Sequence, residues 1–149
     1  MTTIYLIRHA EPFKIHRGIE DVNESILFSN IKSPLSVNGE HLAEKISKNS
    51  EFDNLDVVWS SNYVRTMSTA KYFAYRNNLK VNVSDKLGER IHGINSWDEL
   101  PANFEVHQFE DENYKLPNGE SRKEVSERLL NTISSLLTEY KNKKILIVG

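Results

Sequence analysis

Short apolar, β-branched runs alternate with longer amphipathic stretches along this chain, and that alternation restricts the fold more than any other feature. Residues 3–7, Thr-Ile-Tyr-Leu-Ile, read as a strand buried on both faces. Residues 57–60, 80–84 and 144–148 read as three further strands. Between them stand helical patterns. Ser36 can cap a helix whose inward stripe is Leu42, Ala43 and Ile46. Residues 63–77 carry Val64, Met67, Ala70 and Phe73 near helical spacing, and residues 121–140 carry Val125, Leu129, Ile133, Leu136 and Leu137. Strands separated by helices predict an α/β fold with a mostly parallel sheet and helices on both faces. A length of 149 residues suits one domain spanning residues 1–149. Two stretches have no clear period: residues 12–34, and residues 87–116 apart from a short helix near 97–100. The second stretch holds six acids and no Lys or Arg between Asp98 and Glu112, which predicts a solvated flap.

Composition removes several classes of function. With no cysteine, disulfides, thiolate zinc sites and cysteine nucleophiles are excluded. A net charge of -2 argues against a surface built to hold nucleic acid or anionic lipid. No apolar run approaches the roughly 20 residues of a membrane span, and residues 4–7 are too short for the core of a secretory signal. The expectation is a cytoplasmic protein with neither nucleic-acid nor membrane partners. The composition is silent on oligomeric state.

In open α/β sheets ligands bind beyond the carboxyl ends of the strands. The first strand runs into Arg8-His9-Ala10-Glu11 and the second into Ser60-Ser61-Asn62-Tyr63-Val64-Arg65-Thr66. Arg8 and His9 at one strand exit can meet a single anion, and an imidazole can act as nucleophile toward phosphorus. Arg65 falls in the first turn of a helix, where the free N–H groups and the dipole already favour an anion. A cation there is locally unfavourable unless an anion joins it.

Leu6-Ile7-Arg8-His9-Ala10-Glu11, Pro34-Leu35-Ser36-Val37-Asn38-Gly39 and Ser60-Ser61-Asn62-Tyr63-Val64-Arg65 together resemble the histidine phosphatase superfamily, the group that includes the phosphoglycerate mutases. Leu87-Gly88-Glu89-Arg90-Ile91-His92-Gly93 and Pro117-Asn118-Gly119-Glu120-Ser121, followed by Arg128, extend the resemblance in the same order over nearly the whole chain. The resemblance implies a three-layer α/β/α sandwich of phosphoglycerate mutase type. It implies a phosphatase acting on a small phosphorylated metabolite, with neither metal nor other cofactor. His9 would be the phosphorylated nucleophile, Arg8 and Arg65 would hold the phosphoryl oxygens, and Glu89 would be the general acid, its pKa raised by the neighbouring dianion. The family also carries a second histidine in a Ser-His-Gly turn after the last strand, whereas this sequence stops at Gly149. On that ground the chain is expected to lack its C-terminal portion and to be nearly inactive until extended by a continuation beginning Ser-His.

Three other readings compete. Mutase-type phosphoryl transfer is the nearest, and a catalytically impaired module that binds a phospholigand through Arg8 and Arg65 is the second. Metal hydrolysis through His9, Glu11, His16 and His92 is the third, although no two histidines have the spacing that places both on one helix face. The glycines at 18, 39, 88, 93, 119 and 149 include no pair two apart and no Gly-Lys-Ser/Thr, which argues against a nucleotide-binding loop.

Overall fold

The computed structural model describes residues 1–13 and 30–149. Among the described residues four strands, β1 (Thr3–Ile7), β2 (Val57–Ser60), β3 (Val81–Val83) and β4 (Lys144–Val148), form one sheet in the order β1-β4-β2-β3. Every pairing is parallel, with Thr3 beside Lys144, Val57 beside Ile145 and Val58 beside Val81. Among the described residues, helices α1 (Val37–Ser47), α2 (Val64–Arg76), α3 (Phe104–Glu110) and α4 (Arg122–Glu139) accompany them. No helix among the described residues is long and apolar enough to cross a membrane.

The strand period of two explains the two cores. On β4, Leu146 and Val148 face α2, where Val58, Ala70, Phe73 and Ala74 join them, while Ile145 and Ile147 face α4 and meet Val57, Leu87 and Leu136. Ile145, Leu146 and Val148 are fully buried. Each large side chain so buried contributes roughly 1.5–3 kcal/mol of transfer free energy, so β4 is the spine of the domain's three layers. Ser121 caps α4, and Glu124 reaches back to the Ser121 N–H while the Ser121 hydroxyl accepts from the Glu124 N–H, a reciprocal capping box.

Several expectations change. β1 is an edge strand rather than one buried on both faces: Tyr5 and Ile7 pack on the α2 side, but Leu6 is 63% exposed. α1 turns Gly39, Ala43 and Ser47 inward, leaving Leu42 and Ile46 exposed. Small residues four apart allow a close approach: a Cβ on Gly39 would lie 2.2 Å from the Glu11 carbonyl oxygen. Ser36 caps this helix as expected, accepting from the Gly39 N–H. On α4, Leu136 is buried while Leu137 is exposed. The acidic stretch is solvated as expected, with all six acids exposed, but it is anchored at one point. Phe104 is buried at the start of α3, with the Arg90 guanidinium 5.4 Å from its ring centroid. The predicted short helix near 97–100 is a single 3-10 turn, Trp97–Glu99. Most of the long connection 12–34, including His16, lies outside the described residues.

Candidate active site

The site is built on adjoining strand ends. The His9 N–H donates to the Gly149 carbonyl at 2.9 Å, and the Ser61 N–H donates to Val148 at 3.2 Å, so the turns after β1 and β2 are both hung on β4. Ser60, Ser61 and Thr66 are buried, and the Ser61 and Thr66 hydroxyls bond to each other at 2.7 Å. That contact fixes the first turn of α2 and thereby the Arg65 Cα. The Thr69 hydroxyl donates to the Arg65 carbonyl at 2.9 Å and accepts from the Ala10 N–H at 3.0 Å. The loop carrying His9 is therefore locked to the helix carrying Arg65.

Arg65 is 4% exposed, and each guanidinium nitrogen has a partner. Nε donates to His9 Nε2 at 3.0 Å, one terminal nitrogen to the Asn30 carbonyl at 2.6 Å, and the other to the Glu89 carboxylate at 2.6 Å. The guanidinium also stands 4.7 Å from the centroid of the Tyr63 ring. The Asn30 amide donates to the second Glu89 oxygen at 3.2 Å. The structure thus brings His9, Arg65 and Glu89 into one chain of contacts. Arg8 sits at the same strand end but is exposed, and no hydrogen bond or ion pair joins it to another described residue.

Two contacts orient the His9 ring. Nδ1 lies 2.7 Å from the Ala10 carbonyl, which accepts only if Nδ1 carries the proton. Nε2 then keeps its lone pair and receives the Arg65 N–H. Burial, aided by the Arg65 and Arg8 charges, holds the imidazole pKa below its ordinary value despite the opposing Ala10 contact and the Glu89 charge. With its pKa lowered in this way, the ring is neutral at neutral pH.

Glu89 departs from expectation. Burial raises its pKa, but hydrogen bonds from Arg65 and Asn30, with the Arg65 and His9 charges, outweigh burial and set the carboxyl below its ordinary value. The expected rise presupposed a dianion beside it. In the free protein the neighbour is a guanidinium, and Glu89 is ionised.

The loop bearing Glu89 is held from behind. Arg128 on α4 donates to the carbonyls of Lys86 at 2.7 Å and Gly88 at 3.2 Å, and it pairs through two nitrogens with Glu120 at 2.8 and 2.9 Å. Glu120 accepts from the Ile91 N–H at 3.0 Å, and its own N–H donates to the Ile91 carbonyl at 2.7 Å. Backbone meets backbone so closely here that a Cβ on Gly119 would lie 2.5 Å from the His92 carbonyl oxygen. Beside this loop opens a cavity of about 290 Å3, lined in part by Asn30, Tyr63, His92, Asn95, Trp97 and Asn118. Asn30 and Tyr63, which touch Arg65, join it to the His9 site. Sequence reasoning overlooked Asn30, because no periodicity marks a loop residue whose partners are Arg65 and Glu89. The roles of Glu120 and Arg128 were visible only as part of a family turn. Among the described residues no group of three or more His, Asp or Glu side chains stands close enough to hold a metal.

The chain is 26% identical to phosphoserine phosphatase 1 of Hydrogenobacter thermophilus, covering 100% of this chain and 71% of the relative. It is 25% identical to the uncharacterized phosphatase PhoE of Bacillus subtilis, covering 100% of this chain and 72% of that one. Among solved structures, YhfR of Bacillus stearothermophilus superimposes with a TM-score of 0.75 at 23% identity, over 100% of this chain and 74% of its own, a likeness of fold. The family profile of the histidine phosphatase superfamily, branch 1, matches residues 4–149. With a parallel sheet that carries a neutral histidine and a buried arginine on adjoining strand ends, the chain belongs to the histidine phosphatase superfamily.

Proposed function

We propose that this protein hydrolyses the phosphate monoester of a small metabolite through a phosphohistidine at His9, with no metal in the reaction. The observation that carries the reading is the His9 ring itself. Its Nδ1 proton is committed to the Ala10 carbonyl and its Nε2 lone pair is aimed at the Arg65 guanidinium, where a phosphoryl group would be held.

The substrate phosphate enters between Arg8 and Arg65, whose fork of donors matches its oxygens and takes over charge neutralisation. It displaces Glu89 from Arg65. Without that partner and beside a dianion, the Glu89 carboxyl rises in pKa and takes up a proton. His9 Nε2 attacks phosphorus as the P–O ester bond breaks, and Glu89 gives its proton to the departing oxygen. In the second step the Glu89 carboxylate accepts a proton from water as that water attacks phosphorus. The N–P bond breaks and inorganic phosphate leaves. Positioning and charge complementarity supply most of the acceleration in such transfers.

Hydrolysis of p-nitrophenyl phosphate with excess chelator, together with trapping of the acid-labile N–P bond on His9, tests this. Persistence of both in chelator and their loss in His9→Ala support the reading. Turnover that stops in chelator and returns with zinc or magnesium overturns it. Phosphate binding with no phosphohistidine on any substrate favours the binding-module reading instead.

A further inference from the structure

We infer that the cavity beside Glu89 receives the leaving group of the substrate and is built for an uncharged, polyhydroxylated one, a single sugar ring, so that the preferred substrates are sugar monophosphates. This rests on the phosphate-site reading above. A cavity of about 290 Å3 lies at the small end of ligand pockets, which suits one ring.

Its polar equipment is neutral. Arg90, the one cation among its described lining residues, has its guanidinium committed elsewhere: Nε to the Glu120 carbonyl at 2.7 Å, and the terminal nitrogens to Gln108 Oε1 at 2.6 Å and the Tyr114 carbonyl at 3.2 Å, with the Phe104 ring beneath. The Asn95 and Asn118 carboxamides carry no hydrogen bond to another described residue, and each offers both donor and acceptor atoms to hydroxyl groups. His92 stays neutral near pH 7, because burial, aided by the Arg90 charge, lowers its pKa. The Trp97 ring is 45% exposed and stands edge to face with His92 at 5.7 Å. An exposed indole with a negative face suits the polarised C–H groups on one side of a sugar ring. An amino-acid leaving group would bring an ammonium, and no carboxylate stands among the described lining residues to receive it.

The experiment titrates inorganic phosphate, ribose 5-phosphate, glucose 6-phosphate and O-phosphoserine into the whole chain by calorimetry, and follows the Trp97 indole N–H by NMR, assigned from its loss in Trp97→Phe. One or both sugar phosphates are expected to bind at least tenfold more tightly than phosphate and to move the Trp97 signal, which phosphate leaves in place. Trp97→Ala and Asn95→Ala are each expected to remove most of that gain while phosphate affinity stays unchanged. Sugar phosphates that bind no better than phosphate, or phosphoserine that binds best, would overturn the inference and leave the phosphate site standing. Absence of any binding would overturn both.

Discussion

Replacing Glu89 by Gln should strengthen phosphate binding while it weakens catalysis, two effects that rarely accompany each other. In the free protein the Glu89 carboxylate holds Arg65 at 2.6 Å, the place an incoming phosphoryl oxygen must take. After displacement the two negative groups stand about 4–5 Å apart, and like unit charges at that spacing repel by roughly 3–4 kcal/mol at an effective dielectric constant near 20. The Glu89 side chain is 47% exposed, so solvent screening cuts this to about 1.4 kcal/mol, or roughly tenfold in affinity. Gln keeps an amide oxygen for Arg65 and removes the charge. Calorimetric titration of inorganic phosphate at pH 8, where the ligand's own ionisation is the same for both proteins, reads the difference. At acidic pH, by contrast, wild-type binding should also draw a proton from the buffer, seen as a buffer-dependent heat. The sign follows from the site: the free carboxyl has a lowered pKa and the bound one a raised pKa, so uptake occurs between the two and affinity grows as pH falls into that window. Glu89→Gln should lack this contribution and keep only the dependence that the ligand's own ionisation brings. Unchanged or weaker phosphate binding in Glu89→Gln would refute the displacement argument.

Arg128→Met should lower stability by about 2–3 kcal/mol, because it strands the half-buried Glu120 carboxylate and frees the carbonyls of Lys86 and Gly88. Urea unfolding with a shift below about 1 kcal/mol would reject the clamp, and Glu120→Gln in the same chain should restore part of the loss. Gly93→Ala places a Cβ at φ +75° and 2.4 Å from backbone atoms of Gly119 and Pro117, so Tm should fall by at least about 5 °C. For Glu120, burial is outweighed by the Arg128 and Ile91 contacts, which depress the folded pKa. Its stabilisation is therefore full above the unfolded value near about 4.3 and is lost as pH falls through the folded one. Acid unfolding of Glu120→Gln should be correspondingly less steep.

The parallel strands, the capped first helix and the strand-end position of the site were legible because each rests on local pattern: β-branched runs, Ser36 just ahead of a helical stretch, and an Arg-His pair at a strand exit. What escaped is non-local. α3 has one buried apolar residue, Phe104, and its Val106 and Phe109 are exposed, so no amphipathic period announces it. Leu42 and Ile46 read as a core stripe, yet the neighbour of α1 demanded small residues instead. The direction of the Glu89 shift depends on Arg65, 24 positions earlier, standing at 2.6 Å, a distance no spacing in the sequence encodes.

The central place of β4 has a consequence in time. Among the described residues Thr3 to Ile7 pair only with Lys144 to Val148, so the strand made first must wait for β4 before it has a hydrogen-bonding neighbour there. At roughly 5–20 residues per second, that wait is on the order of 7–30 s. Throughout it the backbone edge and apolar side chains of Tyr5, Leu6 and Ile7 are open to any other strand that passes. Contacts so distant in sequence also make closure slow, since chain entropy is lost before the pairing compensates it. The same event hangs the His9 N–H on the Gly149 carbonyl. Sheet closure and assembly of the proposed phosphate site are therefore one step, and a nascent chain brings His9 and Arg65 together only as its β4 residues clear the ribosome.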